Sequence, residues 1–186
     1  LLIFRWMKLL MLISLCSILW SCTDFKRTDQ LSEIDALLNS VKENESLYNS
    51  SNFDQIPSVL AEMGLLQNAI KESYDDDTLS LEIAKMLDDY KHAELKLKSV
   101  VDKDSLLLIR IIGEVGQLES LKMDITKSRG DRVNYEANIT FEKEKVKEIE
   151  IFVNDCVLVK NEGLETFHNL HTNLQLFAIK LELKNK

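Results

Sequence analysis

From Tyr135 to Leu181 the chain carries an unbroken heptad register. Tyr135, Ile139, Glu142, Val146, Ile149, Val153, Cys156, Lys160, Gly163, Phe167, Leu170, Leu174, Phe177 and Leu181 follow one another at alternating spacings of four and three residues. Such a repeat keeps one face of an α-helix against a neighbour along its whole length. A single helix of about 45 residues would run roughly 70 Å at 1.5 Å per residue. Three seam positions do not suit an apolar stripe: Glu142, Lys160 and Gly163. Asn161-Glu162-Gly163 is therefore a candidate break. The run from Ile149 to Val159 is rich in β-branched residues and is a candidate strand. The flanks stay in register across both, which favours helix throughout.

The chain upstream reads the same way. One proline and five glycines leave too few turn residues for an all-β domain. Leu31, Ile34, Leu37, Leu38, Val41 and Tyr48 recur with a helical period in a first helix expected from about Asp29. Asn49 to Asn52 is a loop by composition. A second helix begins near Asp54, with Pro57 in its first turn, where no backbone N–H is lost. Its stripe is Ile56, Val59, Leu60, Met63, Leu66 and Ile70. Asp75-Asp76-Asp77-Thr78 lacks the spaced ligands and terminal glutamate of a calcium loop and reads as a helix N-terminus. A third helix spans 79–101. Val101 to Asp104 is either a tight turn or a continuation. A fourth helix, Leu106 to Ile125, is apolar on nearly every side of its first half, which predicts a central position. Gly113 and Gly116 are candidates for close approach of a neighbour. Gly130 suits the left-handed residue that ends a helix, and Asp131 the next N-cap. The expected fold is an all-α, up-and-down antiparallel bundle of four to five helices, the last long and coiled-coil-like.

The N-terminal segment carries a different signal. Met7-Lys8 precedes an apolar run from Leu9 to Trp20, then Ser21 and Cys22. A basic start, a short apolar core and a small residue before the cut describe a secretory signal peptide over residues 1–21, with 1–6 an overlong gene start. The run is shorter than the ~20 residues a membrane-spanning helix needs. Leu19-Trp20-Ser21-Cys22 resembles the lipobox of bacterial lipoproteins of the Bacteroidota type, with Trp20 in a slot that usually holds a small residue. The resemblance covers Met7 to Cys22 only. It implies cleavage before Cys22 and acylation of that cysteine. The polar composition that follows predicts a lipidated tether over 22–28, and the periodicity above a helical bundle domain over 29–186. Thr23-Asp24-Phe25-Lys26 lacks the acidic run that resembles a surface-export signal in Bacteroidota, so the expected placement is the outer membrane, facing the periplasm.

Charge and chemistry narrow the function. The net charge is −8, and it becomes more negative once Arg5 and Lys8 leave with the leader. This argues against nucleic-acid binding and against peripheral binding to anionic lipid, because phosphates need a basic face. Cys156 would be the one cysteine after Cys22. Its place on the seam predicts burial and argues against a nucleophile. Glu165, His168 and His171 share a helix face at spacings of three and are weak candidates for metal ligands. No H-E-x-x-H, G-x-S-x-G or phosphate-binding glycine loop is present. Asp77-Thr78-Leu79 and Asp104-Ser105-Leu106 are similar to O-glycan acceptor sites of exported Bacteroidota proteins, but both also read as helix N-termini. The expectation is a membrane-anchored, non-enzymatic envelope lipoprotein that scaffolds or binds a protein partner, without a cofactor. The alternatives are a carrier or sensor of an apolar ligand within the bundle, and a metal-dependent enzyme using His168 and His171.

Overall fold

The structure is a computed structural model. It describes residues 2–74, 79–130 and 132–184, with side chains from Phe25 onward. Among these residues the chain is all α: α1 (Leu2–Ser50), α2 (Ile56–Ser73), α3 (Leu81–Lys127) and α4 (Tyr135–Lys184), with 3-10 turns at Phe53–Gln55 and Arg132–Asn134 and no strand. No helix among them is long and apolar enough to cross a membrane. The N-terminus expected at Asp75 to Thr78 and the N-cap expected at Asp131 lie outside the described residues.

The chain divides into two compact units, Leu1–Lys42 with Ile112–Glu148, and Glu43–Ile111 with Ile149–Lys186. In the first unit α1, α3 and α4 lie side by side. Asp35 pairs with Lys122, and Arg27 donates to the carbonyl oxygen of Thr126, so α1 and α3 run antiparallel. Lys26 pairs with Glu136 (2.9 Å) and Glu33 with Lys143 (3.2 Å), so α1 and α4 run in the same direction. These exposed pairs mark the register and contribute little stability. Burial does that work: Ile34, Val41, Leu118, Ile125, Ile139 and Val146 are almost wholly removed from water.

In the second unit the last turns of α1 give way to α2. Asn52 takes a left-handed conformation (φ 52°), which asparagine tolerates better than most residues. Phe53 is buried behind it and stacks on Tyr48, ring centroids 5.2 Å apart. The Tyr48 hydroxyl donates to Asp104 (2.7 Å). Burial, then this hydrogen bond, pushes the phenol up to about 12. Pro57 sits in the first turn of α2, as its missing N–H requires. Lys103–Asp155 (3.2 Å) and Lys96–Glu162 (2.7 Å) pair α3 with α4 in antiparallel register.

Two expected helices are in fact one. The segments 79–101 and 106–125 belong to α3, because Val101 to Asp104 continues as helix. That stretch holds no glycine or proline to interrupt the backbone ladder. Its Lys103 and Asp104 also gain the partners just named. The central position expected for Leu106 to Ile125 does not hold. Leu107, Ile111, Leu118 and Ile125 are buried, whereas Leu106, Ile109 and Ile112 are exposed. Helices packed in this way cover one face of α3 and leave its outer face in water. The end of α3 also differs from expectation. Ser128, not Gly130, is its left-handed terminal residue (φ 53°). Ser128 N–H donates to Ile125 O and Arg129 N–H to Asp124 O, the paired bonds of a Schellman cap. Gly130 is left-handed as well (φ 79°), two residues on.

α4 is helical throughout, including 149–159, and does not break at Gly163. Every seam position from Tyr135 to Leu181 is buried except Leu170 and Phe177, which are half-buried. The exceptions to the apolar seam have local reasons. Lys160 donates to the carbonyl oxygen of Ser51, and its ammonium lies 5.6 Å from the centre of the Phe53 ring. Burial pushes that ammonium down from its usual range. Gly163 lets α3 come close: a Cβ there would meet Leu97 Cγ and Cδ2 at 2.8 Å and Ala93 O at 3.4 Å. Gly113 and Gly116 do not have this role, since nothing lies within 4 Å of a Cβ at either position. Replacing either with alanine is therefore expected to stabilise the protein by roughly 0.5–1 kcal/mol through helix propensity alone. Urea denaturation of each variant checks this, and a loss of stability would show a neighbour at that face.

Candidate functional site

The third seam exception, Glu142, builds the least ordinary polar site of the first unit. Glu114 on α3 and Glu142 on α4 are both buried and face each other within hydrogen-bonding reach. Two ionised carboxylates cannot donate to one another, so the bond requires a proton on one of them. Burial pushes the Glu114 carboxyl up to about 7, assisted by the hydrogen bond with Glu142 and by its negative charge, while Lys145 opposes the shift. Glu114 Oε1 accepts no hydrogen bond from any described residue. Glu142 Oε2 is 2.8 Å from Lys145 Nζ, and this contact raises the lysine. The Lys145 ammonium also lies 4.5 Å from the centre of the Phe141 ring. A proton shared by two buried carboxyls beside one ammonium is chemically able to take up or release charge near neutral pH. The sequence exposed half of this site, since Glu142 sits visibly on the seam. Glu114 lies in an apolar run, and no spacing rule links the two.

The second unit holds the residues considered for metal. His171 is half-buried, and a hydrogen bond joins its Nδ1 to the hydroxyl of Tyr90 (2.5 Å). Tyr90 is fully buried, and burial, followed by Glu62 and Glu94, raises its phenol. Phe167 packs against both histidines, 4.6 Å from the His171 ring centre and 5.3 Å from that of His168. His168 and Glu165 are exposed. With Nδ1 engaged, His171 has only Nε2 left to offer. No group of three or more histidine, cysteine, aspartate or glutamate side chains among the described residues is placed to hold a metal. The arrangement is an aromatic cluster that packs α3 on α4. Cys156 is buried on the seam, and burial raises its thiol, which disfavours the nucleophilic thiolate.

Glu94, beside this cluster, is the other buried acid. Its carboxylate accepts from Lys91 (2.7 Å), Lys98 (2.6 Å) and Gln67 (3.1 Å). Burial alone would raise it, but these three donors together hold it down at about 2. The side chain of Cys22 lies outside the described side chains. No protein-family model, curated protein or solved structure matches this chain.

Proposed function

We propose that this chain is a non-enzymatic helical module of a bacterial envelope, held on the outer membrane by acyl chains on Cys22, facing the periplasm and binding another envelope protein. The observation that carries the reading is an apolar stripe in water. On the outward side of α4, Leu176, Ile179 and Leu183 are 54 %, 51 % and 67 % exposed. They lie three and four residues apart, so they share one helix face. This is the spacing at which an amphipathic helix of a partner lays its own apolar residues. On the same reading the connectivity is up-and-down, and α4 acts as a coiled-coil element. The leader pattern ending at Cys22 supplies the anchor, and more than one acyl chain makes attachment stable.

The test is photocrosslinking in cells from positions 176 and 183. One dominant envelope partner, lost in Leu183→Glu, is the expected result. A monodisperse monomer that captures nothing ends this reading. A separate prediction concerns the anchor: Cys22→Ser is expected to abolish palmitate labelling and move the protein from the membrane fraction to the soluble one. Unchanged labelling would place the acyl group on another residue.

A further inference from the structure

In the first unit a cavity of about 230 Å³ opens between α1 and the turn from α3 to α4. Its charged lining is of one sign. Lys26 and Arg27 on α1 and Arg132 in the turn surround it, and no carboxylate lines it among the described residues. In a chain with a net charge of −8, three cations around one hollow run against the average surface. Its floor is apolar. Ile125 is buried there, and Tyr135 supplies a ring whose hydroxyl is already committed to Asp124 O (3.1 Å) and Arg129 O at the end of α3.

The three cations are not equally occupied. Lys26 pairs with Glu136, and Arg27 donates one N–H to Thr126 O. The Arg132 side chain is exposed and, among the described residues, has no hydrogen-bond or ion-pair partner. With no partner among the described residues, a guanidinium at the mouth of a cavity has its fork of donors available for a phosphate or carboxylate. The cavity is smaller than the ~300–1,000 Å³ of drug-sized ligand sites, so its occupant is small.

We propose that this cavity binds a small amphiphilic anion, its phosphate or carboxylate head held by Arg132, Arg27 and Lys26 and a short apolar portion laid on Ile125 and Tyr135. A membrane lipid and a soluble alkyl phosphate offer the same chemistry. The test uses the full chain in phosphatidylcholine nanodiscs with its tyrosines fluorinated. The chain has four tyrosines, and loss of a fluorine resonance in Tyr135→Phe assigns Tyr135. Hexyl phosphate is expected to shift the Tyr135 resonance saturably, with inorganic phosphate and hexanol each binding at least about tenfold more weakly, as expected when head and tail both contribute. Arg132→Gln is expected to weaken hexyl phosphate by about tenfold, and Arg132→Lys to restore part of the loss. The source is read by adding phosphatidylglycerol to the discs. A Tyr135 shift before any hexyl phosphate identifies a lipid headgroup as occupant, and an unchanged resonance that still responds to hexyl phosphate identifies a soluble one. A shift that never saturates, hexanol binding as well as hexyl phosphate, or an Arg132→Gln variant of unaltered affinity overturns the proposal.

Discussion

Glu114→Gln is expected to stabilise the protein by about 3 kcal/mol at pH 8 and to leave it nearly unchanged at pH 4.5, at ~1.36 kcal/mol per pKa unit. The sign follows from a folded-state value of about 7 set above the ordinary 4.5. A group raised on folding adds its full stability below the unfolded value and loses it as pH climbs through the folded one. Wild-type stability should therefore decline between about 4.5 and 7 as the proton between Glu114 and Glu142 is stripped. Glutamine keeps a donor for Glu142 and never ionises, so the decline should flatten. Glu94 acts with the opposite sign. Its value is lowered to about 2 by Lys91, Lys98 and Gln67 against the effect of burial, so its contribution is present above the unfolded value and lost as pH falls toward 2. From these two groups the most stable pH is about 5. Urea denaturation from pH 3 to 8 measures the profile. A variant that declines in parallel with wild type would show that the carboxyl pair is not its source.

Gly163→Leu is expected to cost about 3 kcal/mol, and Leu97→Ala about 2–5 kcal/mol, but the double variant is expected to cost less than their sum. The geometry dictates the coupling. A Cβ at position 163 falls 2.8 Å from Leu97 Cγ and Cδ2, so a larger side chain there must displace Leu97, which is fully buried. Truncating Leu97 empties the space that the new leucine would enter. A double-mutant cycle reads the interaction, and strict additivity would mean that α3 and α4 do not approach at this level.

The α4 helix was legible in the sequence because its signal is one-dimensional. A period of alternating four and three residues depends only on helix geometry, and the buried seam from Tyr135 to Leu181 follows it. Pro57 in a first turn and the burial of Cys156 were legible for the same kind of reason. The extent of α3 was less so. A charged tetrapeptide such as Val101 to Asp104 suits a turn or an exposed helical turn equally, and its partners Tyr48 and Asp155 lie about 50 residues away in the chain. Among the weak metal candidates, spacing put His168 and His171 on one helix, but their surroundings come from Phe167 and from Tyr90 on another.

The sequence by itself determined the all-α class, the face that α4 buries and the presence of a leader-like pattern ending at Cys22. Each of these rests on local spacing or local composition. Only the tertiary structure decided which of the glycines marks a close approach, which half of the apolar run in α3 stays in water, that Glu142 meets Glu114, and that three cations surround one cavity. Those outcomes depend on which residues from distant parts of the chain arrive at the same level of neighbouring helices. A helical period specifies the face a residue occupies, and packing alone supplies what stands opposite it.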